Sequence, residues 1–313
     1  MKCLVNHTTF PTFFKPYFEK YFDIVGIDIQ KFDNSYSPKD YFVFVYDRHD
    51  QAVIDTWRDQ GFKVVVEKFW EQYIDDPQGR YVENNCLHLY TKHWVWFDLI
   101  VHNQYSNYDY VRKFTQPTCF FLLLMNLIKP HRDQLFRITK DYHADSLCSY
   151  VLRDITIPSD VPATGHGACA GTSNQKFYNP DWYTNTHFSL VSESLVRGPR
   201  FISEKIFKPL AFQHPFVVHG TAGTLRFLRE SGFETFDHAI DENYDEIVDP
   251  ASRLNAIKSL LEELYHEYQQ GNQLFVDTVS QQKILHNYHN FYNGLDRLWL
   301  PEIINPISEF VNA

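Results

Sequence analysis

The chain has 313 residues, is 44% hydrophobic and 22% charged, and carries a formal net charge of −10. This length suits two globular domains that each bury a core, and the negative charge disfavours nucleic acid as a partner without excluding a local basic cleft. No apolar run reaches the roughly 20 residues that span a bilayer, and the first residues lack the apolar segment of a signal peptide. The five cysteines form no C-x-x-C pair, which favours reduced thiols. We therefore expect a cytoplasmic protein without a membrane span.

Residues 1–118 are predicted to form a first α/β unit. A helix is expected at 51–60, and strands are expected at 2–5, 22–27, 41–46 and 62–66. No glycine-rich phosphate loop follows any of these strands. This unit therefore suits an acceptor-binding role better than a cofactor-binding one.

The segment 69–110 is dense in Trp, Tyr and His. Such rings stack against sugars in carbohydrate-binding proteins, but they also fill cores. For any single residue of the segment, a place in the core is the more common outcome.

A second α/β unit is expected over residues 119–285. Its first strand, Cys119–Met125, ends at Asn126, and a helix then begins at Pro130. Arg132 falls in the first turn of that helix, where a guanidinium is well placed to bind a phosphate. A lone arginine at such a position is more often a surface residue.

The stretch Phe188–Gly220 is predicted to form a strand, a loop, a helix and another strand. Ser203 stands at the N-cap position of the helix, and Glu204 and Lys205 follow in its first turn. Because a helix N-terminus offers unpaired N–H groups and partial positive charge, this arrangement suits a phosphate. A solvated first turn without a ligand is an equally good interpretation of the spacing alone.

This stretch resembles the donor-binding signature of the α1,3-fucosyltransferases. The matching segments are Val191-Ser192-Glu193-Ser194, Ile202-Ser203-Glu204-Lys205 and Pro215-Phe216-Val217-Val218-His219-Gly220. The chain departs from the family where Ser194 directly follows Glu193, without an Asn, and where Pro209 stands within the helix. The resemblance is close over about 35 residues and looser over 120–223.

The resemblance implies a GT-B fold, an α/β architecture of two facing Rossmann-like domains with a cleft between them. It also implies that Asn126 and Arg132 belong to the donor site, with Arg132 on the diphosphate opposite Lys205. Glu193 and Glu204 would contact the ribose or the sugar. The implied donor-binding residues are Asn126, Arg132, Ser192, Glu193, Ser203, Glu204 and Lys205.

The expected activity is an inverting transfer of a sugar from a nucleotide-diphosphate donor, GDP-fucose-like by resemblance, to a hydroxyl of a glycan. No D-x-D pair occurs, so Arg132, Lys205 and helix ends are expected to neutralise the diphosphate without a metal or other cofactor. Such a transfer needs a base for the acceptor hydroxyl. The sequence does not choose among Glu67, Glu71, Asp75 and Glu83. Of these, Glu71 and Glu83 are named as the candidate bases.

Other functions fit the same pattern. A sugar-nucleotide epimerase or hydrolase would need no acceptor, and a non-catalytic binding protein would keep the donor fold without the base. Transfer to a modified DNA base is a further alternative, which the acidic charge disfavours mildly.

Five features are expected after the signature. The turn 220–223 is a second candidate anion-binding turn, and 233–236 a short strand. Helices are expected from Asp249-Pro250 to about Gly271 and over 280–291. The last residues, 286–313, are expected to pack back on the first domain.

Overall fold

The structure, a computed structural model, describes the chain in twelve stretches. These are residues 1–6, 18–46, 51–68, 80–90, 96, 116–125, 128–150, 180–198, 200, 202–295, 297 and 300–313. The chain divides into two compact units, one of residues 1–102 and 295–313 and the other of residues 103–294. Both contain mainly parallel sheets with helices, so the protein is of the α/β class. No helix of the described stretches is long and apolar enough to cross a membrane.

The first unit contains a six-stranded sheet. Its elements are β1 (Lys2–Asn6), β2 (Ile24–Ile27), β3 (Tyr41–Tyr46), α1 (Gln51–Asp59), β4 (Val64–Lys68), β5 (Arg80–Glu83) and β6 (Cys86–Tyr90). The strand order is β2-β1-β3-β4-β6-β5, and only β5 runs antiparallel to its neighbour. The four predicted strands and the predicted helix are confirmed within a few residues.

The core of this unit is organised around Trp57 of α1, which is completely buried. Its indole N–H donates to the carbonyl of Ile29 at 2.8 Å, so the buried polar atom is satisfied. Phe32 and Phe62 pack edge-on against the indole ring at 5.0 Å between ring centroids. Aromatic residues here build the core that fixes the sheet.

The hairpin of β5 and β6 was not expected from the sequence. It turns through Asn84 and Asn85, both with positive φ, at 46° and 61°. Two consecutive left-handed residues form the tight turn that matches the twist of paired strands, and asparagine tolerates that conformation. The Asn-Asn pair was therefore the signal for this hairpin.

The end of the chain also belongs to the first unit. A π-helical turn at Leu300–Ile304 leads into helix α8 (Asn305–Asn312). Lys63 donates from Nζ to the carbonyls of Phe310 and Val311 at 3.0 and 3.3 Å. This cation therefore binds the carboxyl end of α8, where the helix dipole is negative.

The second unit contains a four-stranded parallel sheet. Its strands are β7 (Cys119–Met125), β8 (Leu147–Tyr150), β9 (Thr186–Ser192) and β10 (Phe216–His219), in the order β10-β9-β7-β8. Every residue of β9 and β10 is buried. Continuous burial explains why neither strand contains Asp, Glu, Lys or Arg.

The helices of this unit are α2 (Pro130–Ile138), α3 (Pro180–Asn185), α4 (Glu204–Ala211), α5 (Thr224–Glu230), α6 (Pro250–Gln269) and α7 (Thr278–Asn293), with 3-10 turns at Lys140–Asp145 and Asn243–Glu246. Asp249 caps α6 by accepting from the Ser252 N–H at 2.8 Å, as the Asp-Pro pair predicted. The strand expected at 233–236 is wrong, because Glu242 rather than a neighbouring strand accepts from the Phe236 N–H.

The expected domain limits at residues 118 and 285 differ from the division of the chain. The N-terminal segment of the first unit ends at His102, and α7, which lies in the second unit, continues past residue 285 to Asn293. The second unit extends to the end of α7 because α7 packs on α4, and this long-range contact cannot be recognised in the sequence.

The strand order of the second unit reverses between β7 and β9. The chain leaves β7 through α2 toward β8, and it leaves β9 through α4 toward β10 on the other side. In open α/β sheets such a point, at the carboxyl ends of the strands, is where ligands bind. A ligand site is therefore expected at the segments that follow β7 and β9.

Candidate functional site

The turn between β7 and α2 contacts the end of β9 through two side chains. Lys129 donates from Nζ to the carbonyl of Ser194 at 2.9 Å, and His131 Nε2 lies 3.1 Å from the carbonyl of Glu193. Lys129 and His131 are half-buried. These contacts bring the two segments of the topological switch point together.

The carboxylate of Glu193 holds the start of α4. Its Oε2 accepts from the Ser203 hydroxyl at 2.5 Å and from the Ser194 N–H at 3.3 Å, and its Oε1 accepts from the Ser203 N–H at 3.3 Å. Glu193 is completely buried, and burial raises its pKa, while Lys205 and the bonds from Ser203 oppose that rise. Glu193 is therefore placed to position α4.

Ser203 is the N-cap of α4, as predicted. Its hydroxyl accepts from the Lys205 N–H at 3.4 Å and from Lys205 Nζ at 3.1 Å. The same ammonium donates to the Ser194 hydroxyl at 3.3 Å and to Glu204 at 2.8 Å. Lys205 is thus held at the N-terminus of the helix by three neighbouring side chains.

Glu204 and Lys205 form an ion pair with about a quarter of each side chain exposed. Burial by itself would raise the pKa of Glu204, but the charges of Lys205 and Lys208 and the hydrogen bonds to the carboxylate together outweigh it, so the pKa is lowered. Burial also lowers the pKa of Lys208, one turn further on. Both charged ends of the Glu204–Lys205 pair remain accessible to a ligand.

The basic groups around His131 come from two segments: Lys129 and Arg132 lie at the β7–α2 turn, and Lys205 lies at the start of α4. Burial lowers the pKa of His131, the bond to the Glu193 carbonyl opposes this, and the charges of Arg132, Lys129 and Lys205 lower it further. The field of three fixed cations therefore acts at this imidazole. An anion at this position would meet complementary charge.

His219, at the end of β10, packs next to His131. Its ring centroid is 6.0 Å from that of His131, and its register partner in β9 is Ser192. Burial lowers the pKa of His219 to about 3, with His131 and Arg253 contributing in the same direction. The imidazole is therefore neutral at physiological pH.

Arg253 of α6 supports the loop that follows β9. Its guanidinium is buried and donates to the carbonyls of Val196, Ile247 and Val248. One side chain thus ties the β9–α4 loop to the N-terminus of α6. Several fixed bonds of this kind hold a loop in one conformation.

Five of the seven predicted donor-binding residues lie together in the structure. Ser192, Glu193, Ser203, Glu204 and Lys205 lie together at the carboxyl ends of β9 and the start of α4. Arg132 is on the neighbouring turn but is only 2% exposed, so its charge acts from within the protein. Asn126 and the candidate base Glu71 lie outside the described residues, as does Asp75.

Glu83, the other candidate base, lies at the amino ends of the parallel strands of the first sheet, away from their carboxyl ends. It pairs with Cys86, the first residue of β6, so it is at the amino ends of the parallel strands. Glu67 lies near the carboxyl end of β4 and is completely buried. Of the two described acidic residues, Glu67 is at the edge where α/β sheets bind ligands.

The helix that follows the turn 220–223 is already capped from within the chain, and the Gly223 N–H donates to the Asp245 carbonyl at 2.8 Å. The Asp245 carboxylate accepts from the N–H groups of Leu225 and Arg226 at 3.0 and 3.1 Å, which caps α5 from within the chain. This corrects the expectation of a second anion-binding turn, because an internal carboxylate already occupies the helix N-terminus. The capping residue lies 20 positions away and could not be recognised from local sequence.

Gly220 lies against the site. A Cβ added there would be 2.9 Å from the Thr224 hydroxyl and 3.5 Å from Cγ of Glu193. The glycine therefore allows the end of β10 to approach Glu193 closely.

Lys129, His131 and His219 were not expected at the site from the sequence. All three were visible next to predicted strand ends, but their contacts depend on which strands are neighbours. No group of three or more His, Cys, Asp or Glu side chains within the described ranges is arranged to hold a metal ion. No protein-family model and no curated protein sequence matches this chain.

Proposed function

We propose that this protein is an inverting glycosyltransferase that uses a nucleotide-diphosphate sugar as donor and a glycan hydroxyl as acceptor. GDP-fucose is the favoured donor, on the resemblance of the Phe188–Gly220 stretch alone. The GT-B arrangement and independence of metal are parts of the same proposal.

One observation carries the proposal: two ammonium groups from separate turns converge on Ser194. Lys129 Nζ binds its carbonyl at 2.9 Å and Lys205 Nζ its hydroxyl at 3.3 Å. Both contacts are to neutral oxygens, and among the described residues Lys205 also forms an ion pair with Glu204. Fixed cations at a topological switch point suit a ligand with several negative charges, such as a diphosphate.

The chemistry assigned to this group is stabilisation of the leaving diphosphate. A base removes the proton of the acceptor hydroxyl, and the oxygen attacks the anomeric carbon from the face opposite the diphosphate. The bond from that carbon to the diphosphate oxygen breaks, and the oxygen takes the electron pair. Lys129, Lys205 and the buried charge of Arg132 then stabilise the departing anion.

We assign the base to a carboxylate of the first unit. Glu67 is favoured over Glu83 by its place at the carboxyl edge of the sheet, and Glu71 stays a candidate from sequence. Glu67→Gln retains the size of a buried side chain while it removes the base. We expect it to abolish transfer and to leave donor binding unchanged.

The first experiment is a thermal-shift series with UDP, GDP, CMP and their common sugar conjugates. We expect one nucleoside diphosphate to stabilise the protein, because a ligand that binds only the folded state raises its stability. Absence of a shift with all of them would overturn the proposal.

A second step separates transfer from the alternatives. The stabilising sugar nucleotide is incubated with and without a panel of glycans and with a chelator. Transfer in the presence of the chelator is expected. Consumption of the donor without any acceptor would instead indicate an epimerase or hydrolase, and binding without turnover a non-catalytic protein.

A further inference from the structure

Three buried polar atoms at the carboxyl ends of β9 and β10 have no hydrogen-bond partner among the described residues. They are Ser192 Oγ, His219 Nδ1 and Thr221 Oγ1, and each of these side chains is at most 2% exposed. A buried polar atom without a partner destabilises the folded protein. Three such atoms within two neighbouring strand ends therefore require an explanation.

The three residues are neighbours in the sheet or in the chain. Ser192 and His219 are register partners in a parallel ladder, so their side chains lie side by side on one face of the sheet. Thr221 follows His219 after one residue, and its carbonyl accepts from the Thr224 hydroxyl at 2.7 Å, which fixes the backbone there. The cluster is a local feature of this sheet edge.

The cluster of Ser192, His219 and Thr221 is neutral and lies next to the cations Lys129 and Lys205, which form a cationic group. Glu193, whose side chain binds Ser203 beside Lys205, directly follows Ser192 in the chain. The ring of His131, which the charges of Lys129, Arg132 and Lys205 reach, packs against that of His219. A ligand that extends from the cations across this edge would next meet neutral polar atoms.

The chemistry of the three groups points to a hydroxyl ligand. The serine and threonine hydroxyls both donate and accept hydrogen bonds, and burial keeps the imidazole of His219 neutral, with one donor and one acceptor nitrogen. A phosphate would gain more from the cations nearby. A sugar hydroxyl also donates and accepts, so it can satisfy several of these atoms at once.

We propose that Ser192, His219 and Thr221 form a neutral subsite for the hydroxyl groups of a sugar ring, beside the cationic group of Lys129 and Lys205. This inference rests on the proposed function, and the ring is either the ribose or the transferred sugar of the donor.

The test uses the variants Ser192→Ala and Thr221→Val, with Ser189→Ala as matched control. Ser189 is a buried serine of the same strand whose hydroxyl lies 2.8 Å from His214 Nδ1 and is thus satisfied. Melting temperatures of the ligand-free proteins are measured first. Removal of an unsatisfied polar atom leaves stability unchanged or raises it, whereas removal of a satisfied one lowers it.

Affinities are then measured for inorganic pyrophosphate, GDP, GDP-fucose, UDP and UDP-glucose. We expect Ser192→Ala and Thr221→Val to weaken binding of a nucleotide about threefold to tenfold and to leave pyrophosphate binding unchanged. Ser189→Ala is expected to lower the melting temperature without changing affinity. Weaker binding of both diphosphate and sugar conjugate assigns the subsite to the ribose, and weaker binding of the conjugate alone assigns it to the transferred sugar.

Two outcomes would overturn the subsite while the proposed function stands. In one, the wild type binds a nucleotide and both variants bind it equally well. In the other, the variants lose pyrophosphate binding to the same extent, which would make this a phosphate site. If the wild type binds none of the nucleotides, the proposed function fails and the subsite fails with it.

Discussion

The completely buried carboxylate of Glu193 binds both the hydroxyl and the backbone N–H of Ser203, at 2.5 and 3.3 Å. Through this relationship the end of β9 fixes the N-cap of α4, which in turn contacts Lys205. A buried carboxylate is costly unless it is hydrogen-bonded. Here both of its oxygens are bonded, so the contact holds a cation in place at the start of a helix.

Removal of either converging ammonium should weaken diphosphate binding. We expect Lys129→Ala and Lys205→Ala each to reduce affinity at least about tenfold, or about 1.4 kcal/mol, because each removes a fixed cation from the site. The measurement is titration calorimetry with the nucleoside diphosphate that stabilises the wild type.

Lys258→Ala is the matched control for these two variants. Lys258 lies on α6, is about half exposed, and pairs with Glu262 at 3.3 Å on the same helix. Its removal should leave affinity unchanged. Equal affinities of all three variants and the wild type would refute the assigned role of Lys129 and Lys205.

Glu193 should make the protein less stable as the pH rises. Burial raises its pKa above the ordinary value of 4.5, so the folded protein holds this proton more tightly than the unfolded chain does. Its contribution to stability is therefore present below the ordinary pKa and is lost as the pH rises through the raised value. Glu193→Gln, which has no proton to lose, should lack this decline.

The measurement is the free energy of unfolding of both proteins between about pH 4 and pH 8, the range around ordinary carboxyl values. The difference between wild type and Glu193→Gln should change in favour of the variant as the pH increases. A difference that is constant over the range would show that the carboxyl group titrates normally.

A methyl group at Gly220 should disturb the site. The added Cβ would lie 2.9 Å from the Thr224 hydroxyl, which its bond to the Thr221 carbonyl holds in place. We expect Gly220→Ala to lower stability by about 1–3 kcal/mol, as overpacking of a core does. Chemical denaturation measures the change.

Thr224→Ala removes the atom in closest contact with the new methyl group. The double variant Gly220→Ala/Thr224→Ala should therefore lose less stability than the two single variants together. Strict additivity would mean that the methyl group strains the backbone instead of meeting Thr224.

Asp245 should matter for stability but not for ligand binding. Its carboxylate caps α5 through the N–H groups of Leu225 and Arg226, so Asp245→Ala should cost about 0.5–2 kcal/mol, the usual effect of a lost cap. Affinity for pyrophosphate should stay at the wild-type value. A gain or loss of pyrophosphate affinity would show that the N-terminus of α5 is an anion site after all.

Most of the secondary structure of the second unit could be predicted from the sequence. The strands at Cys119–Met125 and Phe216–His219 are apolar runs, and Ser203 and Asp249 have the side chains that cap helices, so each was recognisable within a few residues. The hairpin at Asn84 was missed because its strands are short and one of them is at an edge.

The site was less predictable than the elements that carry it. Lys205 and Ser203 were found because a helix start is a local pattern. Lys129 was missed, and Arg132 was expected on the ligand but is buried, since exposure depends on how α2 packs and not on its sequence position. The cap of α5 by Asp245 escaped notice for the same reason.

The sequence by itself determined the α/β class, the caps of α4 and α6 and the apolar strands, because periodicity and capping act over a few neighbouring residues. Only the tertiary structure decided that β7 and β9 are neighbours, that Lys129 and Lys205 converge on Ser194, and that Ser192 and His219 share a buried edge. The physical reason is that the order of strands in a sheet is set by burial of long-range contacts, and these join residues far apart in the chain.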